Sequence, residues 1–432
     1  MNILILWAVF SGPALAQTPA VREFDAPSYV RAVLEASPEL RQAEAGLEAA
    51  AAQAKEKFAA LVLPTFGFTA ESTPYGHAPS NSNLLTHWRL TRDETTSTTR
   101  LNLNLFNSFQ DFRSARSARL NRDSSGAALS TAQGDRAFEA VRVFFDLGLK
   151  NRLLEVAAEN LKAQEEQYRM TEDLYKNGMK SLSDLLKSET DWRSGELRLA
   201  AAQAAGKTAL IRFNALIDRA PLEAAVLKVD LAGGATDLPR LEEDAVRART
   251  ARPELRKALL DLEIAEVSVR TARQALLPTF SVDAVWSRSD GGPRGSISEP
   301  NPNYRLGLAL SMPVGYNVAS QAYSFAAARA VRRRQAGAVD QLARQVQVEV
   351  HEAFVQLEQV LKQYSISTAK EAIADRNLGL VTEQYRTGSA DVLLMGQARL
   401  DVLNARVERA QALHEAFINR ARYRLAVGDS IW

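Results

Sequence analysis

The sequence has no cysteine in its 432 residues. That excludes disulfides, thiolate metal sites, a cysteine nucleophile and the acylated cysteine of a bacterial lipoprotein. An excess of one charge is missing too. The 53 Lys and Arg are offset by 51 Asp and Glu, a net charge of +2, so nothing in bulk favours nucleic acid. Beyond the N-terminus, no stretch approaches the ~18 consecutive apolar residues of a membrane helix. If such a chain crosses a membrane, it does so as a β-barrel. No phosphate-binding glycine loop, GxSxG elbow or dinucleotide fingerprint is found. "HEAF" occurs at His351 and His414, each without a second histidine four residues on, so the zinc-protease pattern fails. No enzymatic centre, metal or cofactor is expected.

The first residues read as an export signal. An apolar run, Ile3 to Phe10, leads to Ala14 and Ala16 in small-x-small spacing, so residues 1–16 would be removed and the mature chain would start near Gln17. No Lys or Arg precedes the apolar run, which leaves a buried N-terminal helix as the alternative.

Three echoes then recur in one order. "SPELRQA" begins at Ser37 and "RPELRKA" at Arg252. "LPTF" spans Leu63 to Phe66 and again Leu277 to Phe280. "YKNG" ends at Gly178 and "YRTG" at Gly388. This is an internal duplication. One repeat covers 17–218, a linker 219–240, and a second repeat 241–432.

Both repeats have one plan. A helix rich in Ala, Glu, Arg and Leu comes first (about 27–63 and 241–277), stopped by Pro64 or Pro278. A hairpin follows, within 64–107 and 278–314. Its strands alternate: Phe66 and Phe68, then Leu101, Leu103 and Leu105, with Asn102 and Asn104 opposite. In the second repeat the apolar set is Phe280 and Val282, then Leu306, Leu308 and Leu310. A polar loop of about 25 residues is expected inside the first hairpin. The alternation fits a sheet on a soluble core or a barrel with lipid outside and water inside. A long unbroken helix follows (about 111–176 and 319–386), roughly 100 Å at the α-helical rise. A shorter helix returns (about 184–217 and 391–427), so that two short helices stack beside the long one. Four strands are too few to close a barrel, which needs about eight. Several chains, two or three, would have to share one, or the edges stay exposed.

The signal, the "PEL" and "LP" motifs, the paired hairpins and the two "YxxG" turns together resemble the TolC-like outer-membrane efflux protein family, over about Tyr29 to Gly428. The resemblance implies a mainly α protein with a β-barrel portion. It is a homotrimer of duplicated coiled-coil-like helix pairs, forming a 12-stranded outer-membrane barrel on a 12-helix periplasmic tunnel. It implies an exit duct of a tripartite efflux pump or type I secretion system, with a periplasmic adaptor protein and an inner-membrane transporter as partners. The alternative is a periplasmic coiled-coil scaffold without a pore.

Carried onto this sequence, the resemblance places adaptor contacts at Asn177, Gly178 and Met179 and at Thr387, Gly388 and Ser389. It places the periplasmic gate at Asp184, Tyr385 and Asp391, with the apolar strand residues named above facing outer-membrane lipid. Asp184 lies six residues after Gly178, but Asp391 only three after Gly388, so a shortened second turn is expected. Both aspartates are also reasonable helix N-caps. The family's glycine-rich corner after each hairpin is missing. Two arginine clusters remain: Arg113, Arg116, Arg119 and Arg122, and Arg329, Arg332, Arg333 and Arg334. They could form a luminal collar for anions, meet lipid phosphates outside, or pair with Glu44, Glu48 or Glu56 on neighbouring helices.

Overall fold

The computed structural model describes residues 23–77, 90–228, 238–275, 277–290, 301–312, 314, 316–387 and 389–431. The signal segment 1–16, Gly388 and residues 229–237 of the linker lie outside them.

Each repeat opens with two helices rather than the expected one: α1 (Ala26–Ala36) and α2 (Pro38–Val62), then, in the second repeat, α5 (Leu241–Ala251) and α6 (Pro253–Gln274). The "PEL" proline makes the break. Ser37 (φ −64°, ψ 119°) and Arg252 (φ −68°, ψ 123°) are extended, because a following proline ring disfavours helical geometry. The proline itself suits the first helical turn. Asp25 caps α1, accepting from the Ser28 backbone N–H at 3.0 Å, while the Asp25 N–H donates to the Ser28 hydroxyl at 3.1 Å. Ahead of it, β1 (Glu23–Phe24) pairs in parallel with β4 (Val226–Leu227), tying the start of the first repeat to the inter-repeat linker. No sequence pattern announced this pair.

The long helices are α3 (Gln110–Lys176) and α7 (Tyr316–Arg386), and the returning ones are α4 (Leu182–Leu216) and α8 (Val392–Val427). With 25 and 35 residues, α2 and α4 run along the 67 of α3, so the expected end-to-end stacking is present. Near the sheet the neighbours run α2, α3, α6, α7. Toward the far end they run α4, α3, α8, α7.

The sheet has the order β2 (Thr65–His77), β3 (Leu90–Asn107), β5 (Thr279–Asp290), β6 (Asn301–Ser311), all antiparallel. This is the order of the helices beneath it. β2 and β6 are its edges. The strands run further than the apolar alternation suggested, to His77 and from Leu90, and the rest of the expected 25-residue loop lies outside the described residues. The Thr- and Ser-rich run at 95–99 continues the ladder, as β-branched threonine favours.

At the corner between β3 and α3, where the glycine-rich corner is missing, Ser108 and Phe109 take left-handed backbone (φ 57° and 60°). Arg113 holds this corner. It is 8% exposed, and its guanidinium donates to the Ser108 carbonyl, to Gln274 and, at 3.1 Å, to the Thr271 hydroxyl on α6.

Halfway along the layer, Tyr29 stacks on Phe213 (ring centroids 4.1 Å apart) and donates to its carbonyl at 2.9 Å, among Phe24, Val33, Val141 and Phe144. A second cluster collects Ala248, Val346, Val350, Leu357, Tyr423 and Val427. Gly428 ends α8 at φ 86°. A Cβ there would stand 3.0 Å from the Ala251 carbonyl carbon, so the second helix break packs directly on that cap.

Candidate functional site

Two regions hold the residues singled out by sequence: the turns at the far end and the faces of the sheet.

The two end turns are equally long. α3 ends at Lys176 and α4 begins at Leu182; α7 ends at Arg386 and α8 begins at Val392, which leaves 177–181 and 387–391. The expected shortening of the second turn is wrong, because Asp184 does not start its helix. Ser181 is the N-cap. Its hydroxyl accepts from the Asp184 N–H at 3.1 Å, and Asp184 accepts in return from the Ser181 N–H at 3.2 Å. Asp391 is the true counterpart of Ser181. Its carboxylate accepts from the Leu394 N–H at 2.7 Å. Gly178 turns the first connection at φ 74°, a left-handed value suited to glycine, and the Met179 N–H returns to the Leu174 carbonyl at 2.9 Å. The Ser389 N–H returns to Gln384 at the same distance. Asn177, Met179, Thr387, Ser389 and Asp391 are exposed.

The two "YxxG" tyrosines part company. Tyr175 is 38% exposed, whereas Tyr385 is fully buried beside Val381, Val392, Met395 and Met170. The Tyr385 hydroxyl lies 3.1 Å from that of Thr171 on α3, and the Lys180 ammonium sits 4.5 Å from its ring centroid. Lys180 also donates to the Ala390 carbonyl at 3.5 Å, bridging the two turns. Deeper in, half-buried Arg399 donates to the Ala163 carbonyl, and burial pulls its pKa below the ordinary arginine value. Thr171, Lys180 and Arg399 were missed from sequence. Their partners lie more than 200 residues away, and no local motif marks them.

The sheet has one apolar and one polar face. Register aligns Phe66, Leu101, Ala284 and Leu306 in one row, and Leu103, Val282 and Leu308 in another. Leu105 falls at a ladder irregularity, and Phe106 takes its place opposite Phe280 and Leu310. Phe66 (71%), Leu306 (76%), Leu308 (70%) and Leu310 (72%) stand out to solvent in the single chain. The row of Phe68, Trp286 and Tyr304 bounds this band on one side. On the other face Arg305 pairs with Asp283 at 3.4 Å.

The polar face continues onto the helices. Gln53 and Glu56 of α2, Ser114, Ser117 and Asn121 of α3, Ser268 and Thr271 of α6, Gln321 and Ser324 of α7 and Thr279 of β5 line one hollow. The arginines do not pair with the expected glutamates. Arg122 pairs with its neighbour Asp123 at 2.6 Å, Arg119 lies over the Phe58 ring at 5.5 Å, and Arg332 pairs with Glu266 at 3.1 Å. Glu56 pairs with Lys57. Glu44 and Glu48 sit lower, since the pair Arg136–Glu39 fixes α2 against α3 about four to six turns below the arginines.

Among the described residues no helix is long and apolar enough to cross a membrane, and no cluster of His, Asp and Glu could hold a metal.

The sequence matches the family model for outer membrane efflux proteins over residues 29–218 and 245–429. No characterised protein sequence matches it. Among solved structures, the chain superposes on CusC with a TM-score of 0.81 at 16% identity, covering 94% of this chain and 92% of that one. The CmeC outer membrane channel of Campylobacter jejuni gives 0.79 at 17% identity, covering 93% and 85%. The open state of the MtrE outer membrane channel of Neisseria gonorrhoeae gives 0.76 at 18%, covering 94% and 89%.

Proposed function

The chain belongs to the outer membrane efflux protein family, and from that membership we propose that it is the passive exit duct of a tripartite export machine. Three copies close a 12-stranded barrel in the outer membrane, and their helices continue it as a tunnel into the periplasm. One observation carries this reading. A four-stranded sheet exposes a continuous apolar face, bears a polar face on the opposite side, and leaves β2 and β6 at its edges. Apolar outside and polar inside is the pattern of a membrane barrel, and closure removes the edges. A scaffold without a pore would have no use for the exposed leucine rows.

Within the barrel, Phe66, Phe68, Leu101, Leu103, Phe280, Val282, Leu306, Leu308 and Leu310 face lipid, with Trp286 and Tyr304 at the outer rim. The turns at 177–179 and 387–389 meet the periplasmic adaptor. Asp391, in three copies around one axis, lines the periplasmic mouth, while Asp184 and Tyr385 hold its closed form. An inner-membrane transporter supplies energy and chooses cargo. The test is direct. Purified chain should scatter light as a trimer in detergent and form discrete channels in planar bilayers. A well-folded monomer without conductance would leave the scaffold reading standing.

A further inference from the structure

Just beyond the sheet, the helices carry a belt of exposed arginines: Arg116 and Arg119 on α3, Arg270 on α6, and Arg329 and Arg333 on α7. Three contacts fix the register of these helices. Arg113 meets Thr271 and Ser124 meets Asp261 between α3 and α6, and Arg332 meets Glu266 between α6 and α7. In that register Arg116, Arg270 and Arg329 stand at one height, with Arg119 and Arg333 about one turn lower. The belt lies about 10–15 Å beyond the corner at Phe109, at 1.5 Å per helical residue.

The belt is on the outside. The side of the layer that carries the polar strand face is marked by Ser114 and Ser117 on α3, Ser268 and Thr271 on α6, and Gln321 and Ser324 on α7, which share a hollow with Thr279 of β5. At 3.6 residues per turn, the five arginines are rotated roughly 110–170° away from those positions. Phe112, 60% exposed, shares the face of Arg116 and Arg119 and lies nearer the sheet. Apolar strands, then an aromatic side chain, then arginines is the order met on leaving a bilayer.

Direction and charge agree. Side chains on a helix lean toward its N-terminus, and on α3 and α7 that end is at the sheet. Arg329 accordingly lies over Phe325, one turn nearer the sheet, at 5.8 Å. Glu266 and Asp123 on this face are already paired, with Arg332 and Arg122. Arg116, Arg270 and Arg333 make no ion pair among the described residues. Arg270, Arg329, Arg332 and Arg333 line one shallow hollow between α6 and α7.

Resting on the outer-membrane reading, we propose that this belt binds the phosphate headgroups of anionic phospholipid in the periplasmic leaflet. A guanidinium suits phosphate through paired hydrogen bonds, and arginines close to an anionic surface add their attractions. The belt thereby fixes how deep the barrel sits.

The test uses the intact trimer in nanodiscs of phosphatidylcholine, with and without phosphatidylglycerol. Lipids retained by the released trimer are counted by native mass spectrometry, for wild type and for the R116Q/R119Q/R329Q/R333Q variant. Wild type should prefer phosphatidylglycerol by about tenfold or more. The variant should lose most of that preference while keeping its trimer and its conductance. Equal preference in both proteins, with conductance intact, overturns the belt and leaves the duct. Stabilisation of wild type by inorganic phosphate in pure phosphatidylcholine, equal to that given by phosphatidylglycerol, would mean a free-anion site and also overturns it. A chain that conducts in neither lipid overturns the duct and the belt together.

Discussion

The Tyr423 hydroxyl donates to the Asp244 carboxylate at 2.8 Å, in the place where the first repeat stacks Tyr29 on Phe213. Asp244 and Tyr29 each precede their "PEL" proline by nine residues, and Tyr423 and Phe213 each follow their "YxxG" tyrosine by 38. The hydroxyl has changed sides across the duplication. In the first repeat it sits on the short helix and finds a backbone carbonyl. In the second it sits on the returning helix and finds a carboxylate, which Arg247 also holds at 2.7 Å, with Asp429 beyond.

Removing the two hydroxyls should therefore cost different amounts. Tyr29→Phe loses one neutral bond, about 0.5–1.5 kcal/mol, whereas Tyr423→Phe leaves a buried carboxylate short of a donor, about 1–3 kcal/mol. Denaturant unfolding of both variants in one detergent measures the difference. Equal costs would mean that Arg247 alone satisfies Asp244.

Alkaline pH should weaken both clusters. Burial first, then Glu139, pushes the Tyr29 phenol above its ordinary value; burial first, then Asp244, does so for Tyr423. A raised folded pKa means that the fold prefers the neutral phenol. The contribution is complete below the unfolded value of about 10 and fades as pH climbs past it. The unfolding midpoint should fall above that pH in wild type, and fall less steeply in the Tyr29→Phe, Tyr423→Phe double variant.

Strand facing can be tested by charge. Asp at Leu103 or Leu308 should impair assembly, at up to a few kcal/mol per chain near mid-membrane, counted three times in a trimer. Asn102 and Gly307 look like natural controls on the polar face, but both border Asp283. A Cβ at Gly307 would stand 2.7 Å from Asp283 Oδ1, and Asn102 is its cross-strand partner. Asn104→Asp, opposite Ser281, is the sound control. Trimer yield on mild gels should be low for the leucine variants and near wild type for Asn104→Asp; the reverse order inverts the sheet.

Asp391→Asn separates capping from charge. Asparagine caps a helix as well as aspartate does, so helix stability should hold. A ring of three carboxylates should attract divalent cations, and magnesium on the periplasmic side should reduce single-channel current in wild type more than in the variant. The equal end turns favour this test, since Asp391 is not displaced along the axis relative to Ser181. Identical block in both proteins would leave Asp391 a cap alone.

Much of the architecture was legible because repetition and period are local signals. The three echoes announced the twice-repeated order of elements, and alternation in "RLNLNLF" announced the register as far as Asn104, beyond which Phe106 stands where Leu105 was expected. The two helix breaks were not read, because proline is as welcome in a first helical turn as it is disruptive within one, and only the preceding residue's backbone decides. The end turns were misjudged because "SLSDLL" offers several capping residues, and the nearest to the glycine won. The Thr171–Tyr385 and Lys180–Tyr385 contacts were out of reach, since they join segments brought together only by the packing of α8 against both α3 and α7.

The unpaired edges of β2 and β6 also set the order of assembly in time. A single chain shows two open edges, and so does a pair, because joining β2 of one to β6 of another leaves one of each still free. Only the third arrival abolishes them. The intermediate is thus as adhesive as the starting material. Accumulated pairs would recruit any strand nearby, so productive assembly depends on the last step outrunning the supply of chains, and overproduction should fail before underproduction does.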